Sequence, residues 1–445
     1  AGLSRHPSGP YASRMPAPAP EPLSLPLSIW IVNPFDDIPG ENLPPMRYWS
    51  LARVLASRGH DVTWWTCTWS HRRKAIRAVP RDIREDENFG VRLVAVRPYE
   101  KNVSLARLGS HRDFGKNFER LANESIAAGQ MERPDIIIAS LPPLESPTAA
   151  LRLARRLDAT LVVDVQDLWP ETFERLVPGP AFFRRLVTPL LLRKMRATRR
   201  AVINAADAVS FTTHTYAEAL HGEVAPGTPT HVCYLGAYPQ EFPATTPLVN
   251  HVPLLGGIGE AAVPLQCVYS GSLEVGQDLD ALVAAARQLA AQGTAVTIHV
   301  AGAGRMEPLV RRAADTIGGA CHIEMHGLLG RHDYVKLLAS CDVGLVLVRP
   351  ESQVVVPNKA CDYAAAGLAL VNSLPGELER MIETHAAGLA YTAGDGHSLA
   401  EAITKLATDR RLLKDMRSNA RRLAAAEFDR ERIYPRFADW LELLP

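Results

Sequence analysis

The sequence predicts an α/β protein in which two doubly wound, Rossmann-like halves face each other across a cleft. Three observations carry this fold class. From Ser28 onward, short β-branched runs alternate with longer helical patterns, the mark of βαβ units on a parallel sheet. The alternation breaks once, across Glu223 to Val263, where Pro, Gly and Thr cluster, and restarts at Leu265. The length, 445 residues of which 47% are apolar, suffices for two or three cores and excludes disorder as the dominant state.

Each element follows in order. SIWIVN (28–33) reads as the opening strand; the Pro/Gly-rich PFDDIPGENLPP then leads into a helix that ends at Arg58-Gly59-His60, with Gly59 as its C-cap. DVTWWTC (61–67), VRLVAV (91–96), DIIIAS (135–140), TLVVDV (160–165) and AVSF (208–211) complete the first series of strands. The second series is LQCVYSGS (265–272), VTIHVAGAG (296–304), CHIEMHG (321–327), DVGLVLV (342–348) and LALVNS (368–373), each followed by a helical stretch. With seven prolines and no continuous apolar stretch, residues 1–26 read as a disordered leader. The expected division is a first domain over 27–240, a second over 241–426, and a last helix over 427–445 packing back on the first. Open α/β sheets bind ligands beyond the carboxyl ends of their strands, so the cleft is the expected site.

Charge and cysteine usage remove several function classes. Forty-nine Lys plus Arg against 48 Asp plus Glu leave a formal charge of +1, which excludes a wholesale nucleic-acid binder. Cysteines 67, 233, 267, 321, 341 and 361 form no Cys-x-x-Cys pair, which speaks against a disulfide scaffold or zinc cage and for reduced thiols in a cytosol. No apolar run approaches the roughly 18 residues of a spanning helix. A cytoplasmic location follows as the expectation, with peripheral contact at the inner face of the membrane. Fourteen histidines without a His-Glu-x-x-His pattern, and the lack of a Gly-x-x-x-x-Gly-Lys-Ser/Thr loop, predict neither a metal nor a cofactor. Asp278-Leu279-Asp280 opens a helix, where acids suit the positive end of the dipole.

Several motifs occur together: Gly40-Glu41-Asn42 before a helix bearing Arg47, DLWPET (167–172), YSGSLEVGQDLDAL (269–282), VAGAGR (300–305) and VVVPNKACDYAAAGLALV (354–371). In this order and spacing, the chain from Ser28 onward resembles GT-B glycosyltransferases of the large retaining family four. It is most similar there to the fucosaminyltransferase-like branch of bacterial surface-polysaccharide enzymes. The resemblance implies a nucleotide-sugar donor, UDP favoured over GDP, and a saccharide or natural-product acceptor. It also implies transfer with retention and without a metal.

Site residues follow from motif and resemblance together. Pro357 to Gly367 reads as a loop entering a helix, whose free amides and Lys359 suit a phosphate, with Asn358 near the N-cap. Asp362 stands where the family places a ribose-binding glutamate. The donor set is completed by Gly40, Gly271, Ser272 and, at the base, Leu328. Family glutamate, arginine and lysine positions are here Val354, Ser272 and Gln277, departures that also suggest a catalytically weak partner subunit or, less strongly, a nucleotide-sugar 2-epimerase. Asp167 follows the strand TLVVDV and is the expected catalytic carboxylate, with Glu171 second; the alternative for Asp167 is a cap for the turn before Pro170. Glu41, Asn42, Arg47 and the basic His71, Arg72 and Lys74 are the expected acceptor contacts. Gly302 and Gly304 with Arg305 resemble a phosphate-binding turn, but in the fold that the resemblance implies the second glycine serves the strand-to-helix corner, and the structural role is the expected one. From Arg175 to Ala206 there are eight bases and no acid, interleaved with Phe182 and Phe183, a stretch that suits an anionic membrane surface.

Overall fold

A computed structural model describes residues 26–41, 46–77, 82–83, 88–101, 104–171, 181–243, 251–253, 260–349 and 351–444. The expected leader, save Pro26, and Asn42 lie outside them. In the first half the strands are β1 (Ser28–Val32), β2 (Asp61–Cys67), β3 (Trp69–Ser70), β4 (Ala75–Ile76), β5 (Asp82–Ile83), β6 (Gly90–Val94), β7 (Ile136–Leu141), β8 (Thr160–Val165), β9 (Ala208–Phe211) and β10 (Thr230–Val232). They form one sheet in the order β10-β9-β8-β7-β1-β2-β6-β5, parallel except for β5, while β3 and β4 make a separate ribbon. After a ribbon of β11 (His251–Pro253) and β12 (Glu260–Ala262) come β13 (Leu265–Ser270), β14 (Val296–Ala301), β15 (Cys321–Gly327), β16 (Val343–Val346), β17 (Ala369–Asn372) and β18 (Gly388–Ala390). These six are all parallel, in the order β15-β14-β13-β16-β17-β18.

Both halves are therefore Rossmann-like domains with one reversal of strand order, between β1 and β7 and between β13 and β16. Such a reversal opens a crevice at the carboxyl ends of the strands. The strands read as continuous apolar runs because both sheet faces are covered. In β1, Trp30 and Val32 join one core cluster while Ile29 and Ile31 join the opposite one. The short edge strands β5, β10 and β18 have no periodic pattern to announce them and were not expected.

One ion pair organises the first domain. Arg47, on the helix α1 (Arg47–Ser57), sends Nε and Nη2 to the two Asp164 oxygens of β8 at 2.8 Å each, and Nη1 to the Cys233 carbonyl at 2.7 Å. Tyr48 and Ser210 also donate to Asp164, at 2.6 Å each. Burial by itself would raise the Asp164 pKa, but the Arg47 charge and these hydrogen bonds outweigh it and hold the carboxyl below its usual range. Arg47 is thus not an acceptor contact: its side chain is 1% exposed and spends its donors inside the domain. The helix Arg430–Glu442 closes the same core, placing Tyr434 and Phe437 against the Arg47 guanidinium and ion-pairing Glu442 with Arg58.

Removing one partner of a buried pair strands the other charge. Arg47→Met is expected to destabilise the chain by about 3–5 kcal/mol in denaturant unfolding, and Arg47→Met with Asp164→Leu by clearly less. Equal losses in both variants would mean that the charge pair is not what the packing depends on.

Candidate active site

In the second domain the site is built at the carboxyl end of β13. Gly271 has φ +133°, and a Cβ there would lie 3.0 Å from Lys359 Nζ. Glycine thus makes room for the lysine at the strand end. Lys359 enters from the first turn of the helix Asn358–Ala366, accompanied by the Tyr269 ring at 4.1 Å and Gln277 Oε1 at 3.2 Å. Burial lowers its pKa to about 7, so its charge is held at a cost that a bound anion can offset. Ser270 and Tyr363 hold the strand end in place, the Ser270 amide donating to the Tyr363 hydroxyl at 2.7 Å. The expected donor residues Gly271, Ser272, Asn358 and Lys359 are brought together here, with Asn358 exposed.

Asp362 lies one turn further along that helix and accepts from Arg331 at 3.2 Å. Arg331 also pairs with Glu241, from the segment that crosses between the domains. Sequence reading missed Arg331; no local motif marks an arginine at a helix start that turns to a distant carboxylate. Leu328, 82% exposed, stands just past the end of β15.

Glycines set the loop spacing. A Cβ on Gly302 would come within 1.8 Å of the Gly271 carbonyl, and one on Gly304 within 2.4 Å of the Leu273 carbonyl. Asp278 precedes the helix Leu279–Gln292 without a side-chain hydrogen bond to it and accepts instead from Tyr391 at 3.0 Å and the Gly394 amide at 2.7 Å, while Asp280 pairs with Arg349. The Asp-x-Asp sequence is used within the fold.

In the first domain the loop after β1 is pinned from below. The Phe35 and Asp36 amides donate to Asn33, and the Tyr48 amide donates to Asp36, whose pKa burial raises to about 6. Glu41 is 3% exposed, ion-paired with Arg77 and accepting from the Ile38 amide at 2.9 Å. The expectation that Glu41 meets the acceptor is corrected: its carboxylate shapes the Gly40 turn, where Gly40 has φ +84° and is exposed.

Above this loop stands an aromatic and basic cluster that sequence reading caught only at His71, Arg72 and Lys74. Arg107 of α2 (Leu105–Ala127) lies over Phe35, Tyr99 and Trp169 at 5.4, 6.0 and 5.8 Å and donates to His111 at 3.3 Å. Lys74 lies over Tyr99 at 4.8 Å, and His71 bonds the Tyr99 hydroxyl at 2.5 Å. Burial, then the Arg107 charge, brings the pKa of His71 and of His111 to about 3 and that of Lys74 to about 8. Arg72 is exposed, 3.5 Å from Asp37. The signal that was available for Arg107 and His111 is their i, i+4 spacing one turn after the Ser104 N-cap.

Asp167, two residues past β8, is partly buried, and its charge acts on Arg107 and on Tyr216. The Tyr216 hydroxyl donates to the Gln353 carbonyl of the second domain at 3.1 Å, so Asp167 stands at the seam between the domains. Glu171 does not share that position freely. It pairs with Arg196 at 2.9 Å and with Arg199, which also pairs with Glu223 at 2.7 Å. Burial would raise the Glu171 pKa, but Arg199 and Arg196 hold it below the usual range, so the carboxylate anchors its loop. The acid-free basic stretch is corrected in part for the same reason: Arg196 and Arg199 find their acids outside it. Arg193, Lys194 and Arg200 are exposed, and the side chains of Phe182, Phe183, Arg184 and Arg185 lie outside the described residues. Among the described residues no helix is long and apolar enough to cross a membrane.

The Gly302 contact gives a direct check on the second loop. Gly302→Ala is expected to destabilise the chain by at least about 2 kcal/mol in denaturant unfolding, because neither the φ of +151° nor the backbone beneath it accommodates a methyl group.

Comparisons with known proteins bear on both domains. Residues 46–236 match the model of the glycosyl transferase 4-like domain, and residues 264–409 that of glycosyl transferases group 1. WcaL of Salmonella typhimurium, named for glycosyl transfer in colanic acid biosynthesis, is 23% identical over 186 residues. That match covers 41% of this chain and 46% of WcaL, so it spans less than half of that relative's length. Among solved structures, sucrose-phosphate synthase from Thermosynechococcus elongatus is similar with a TM-score of 0.67 at 16% identity, over 94% of this chain and 99% of that one. Anabaena Alr3699/HepE in complex with UDP gives 0.63 at 16% identity, over 93% and 99%. At these identities the likeness is one of fold. The chain thus carries a glycosyl transferase 4-like domain and a glycosyl transferases group 1 domain in tandem on a GT-B fold.

Proposed function

We propose that the chain transfers a sugar from a UDP-linked donor to a hydroxyl of a saccharide or natural product, with retention of anomeric configuration. The observation that carries this reading is Lys359 seated in the space left by Gly271, at the strand reversal of the second sheet. Relatives of the fold solved with UDP or UDP-glucose support the choice of base, and the name of WcaL supports a surface polysaccharide as the product.

Lys359 and the loop amides would hold the diphosphate, Asp362 the ribose, and the backbone at Leu328 the base. Facing them, Asp167 would orient the reacting sugars, with Arg107, His71, Arg72 and Lys74 lining the acceptor side. The acceptor oxygen attacks the anomeric carbon on the face from which the diphosphate leaves. Its proton passes to the leaving phosphate oxygen, so the protein's part is orientation and charge stabilisation. No metal is assigned to the transfer, since a cationic lysine already faces the leaving group. Arg193, Lys194 and Arg200 would bring the enzyme to the cytoplasmic face of an anionic membrane if the acceptor is lipid-linked; salt-sensitive binding to anionic vesicles is the readout.

Titration calorimetry with UDP tests the donor site. Lys359→Ala and Asp362→Asn should each weaken UDP about ten- to a hundredfold, the worth of a charge-assisted hydrogen bond. Unchanged affinity in both would overturn the assignment. Asp167→Asn should leave UDP affinity nearly intact and lower turnover strongly. Retention is read from the anomeric proton of the product.

A pH dependence follows as well. Free Lys359 titrates at about 7 because burial disfavours its ammonium, and a bound diphosphate raises that value. Binding near pH 8 should therefore take up a proton, seen as an enthalpy that varies with the buffer, whereas well below pH 6 it should not. Lys359→Met should abolish the difference.

A further inference from the structure

Three side chains converge on the β14–β15 pair, none of them used in the proposed transfer. His299 of β14 sits in register with Glu324 of β15, and β15 is the edge of its sheet. His299 Nδ1 lies 3.0 Å from His326 Nε2 and 3.3 Å from a Glu324 oxygen, and one donor atom from each residue falls within 4.8 Å of the other two. A bulge brings the third member in. Val300 pairs with Met325 and Ala301 with Gly327, so His326 is the extra residue of β15. Glu324 and His326, two apart on the strand, share the face that His299 occupies.

Hydrogen bonding decides which His299 nitrogen is bare. The Gln266 amide NH2 donates to the Pro264 carbonyl at 3.0 Å, which can only accept. Its Oε1 must then face His299 Nε2, 2.8 Å away, and accept the proton that nitrogen carries. Nδ1 is left as a lone pair directed at the cluster, where without metal it accepts from His326 Nε2–H at 3.0 Å; on metal binding that proton moves to His326 Nδ1 and Nε2 becomes the ligand atom. A histidine fixed in this way by a partner on its far nitrogen is the arrangement that metal-ligating imidazoles use. The lone pair also lies 3.3 Å from the Glu324 oxygen, so two acceptors face each other at a spacing that a cation would bridge. Tetrahedral zinc with bonds of about 2.0–2.1 Å sets its donor atoms about 3.3 Å apart, close to both distances seen here.

We propose that His299 Nδ1, His326 Nε2 and the Glu324 carboxylate bind one divalent transition-metal ion. Two imidazoles and a carboxylate suit zinc, with water in the fourth position on the exposed Glu324 side. The ion ties β14 to β15 just before Gly327, two residues from Leu328 at the proposed base site.

The test uses the untagged full chain, stripped with a chelator and titrated with zinc against a colorimetric competitor. One ion per chain is expected, and cobalt in its place should give the intense visible absorption of a four-coordinate site. His326→Gln and Glu324→Gln, both on the open side, should each weaken zinc at least tenfold. Gln266→Leu should weaken it about ten- to a hundredfold through the loss of the oriented tautomer. Zinc should raise the thermal midpoint of the wild type and not that of His326→Gln, while the stripped proteins melt alike. Binding of less than one ion, or wild-type affinity in both His326→Gln and Glu324→Gln, would overturn the proposal.

Discussion

The buried contact between Arg47 and Asp164 is the constraint on which the first domain depends. A guanidinium and a carboxylate out of water are tolerated only when their hydrogen bonds are satisfied, and here Tyr48, Ser210 and the Cys233 carbonyl complete the set. The pair joins α1, β8 and β9 to the strand-to-linker segment at Cys233 and to the rings of the Arg430–Glu442 helix. Fixing α1 fixes the loop before it through the Asp36–Tyr48 contact, and fixing β8 sets the start of the segment that carries Asp167. An arginine read from sequence as an acceptor contact therefore acts at a distance: it positions the residues that face the cleft.

The two domains are joined by polar contacts that have definite geometry. Glu377, which opens a helix of the second domain, accepts from the His214 and Thr215 amides at 2.9 and 2.8 Å and from the Tyr234 hydroxyl at 2.6 Å. A carboxylate at the start of the helix His214–Leu220 meets its unpaired amides and its positive end together. Arg331 joins Asp362 to Glu241, and Tyr216 reaches Gln353. The candidate ribose carboxylate and the candidate catalytic carboxylate thus both lie beside interdomain contacts. Each domain also holds a lysine whose ammonium is disfavoured by burial, Lys74 and Lys359, so an anionic ligand in the cleft would gain from both sides.

Most of the architecture was legible because parallel strands covered on both faces must be apolar throughout. TLVVDV and CHIEMHG coincide with β8 and β15 to the residue. Even there polar residues carried information that was not used: Asp164 interrupts an apolar strand because a buried guanidinium lies beneath it. Three-residue edge strands were invisible because so short a segment holds no period. For the site, the place of Lys359 in the first turn of its helix was legible in Pro357 to Gly367, and the corner role of Gly304 came with the resemblance. Arg331 was not readable, and Arg107 and His111 offered only their i, i+4 spacing, since their meaning comes from aromatic rings and acids brought close only by the fold. Glu41 and Glu171 were misread for the converse reason. A carboxylate near a motif suggests chemistry until its arginine, distant in sequence, is found.

The cluster of His299, Glu324 and His326 shows the same limit from another side. A scan along the chain for histidine spacing finds nothing, because the ligands come from two strands separated by a helix and meet only through parallel register. Glu-x-His on an edge strand is a weak signal. It gains content when the neighbouring strand presents a histidine at the paired position and a bulge re-aims the second ring. Register, bulge and the Gln266 contact are each ordinary features of a parallel sheet. Their coincidence at one point, where the sheet runs out toward Gly327 and Leu328, turns three polar side chains into a set of donors, and it lies where local backbone irregularity already separates this strand end from the rest of the sheet.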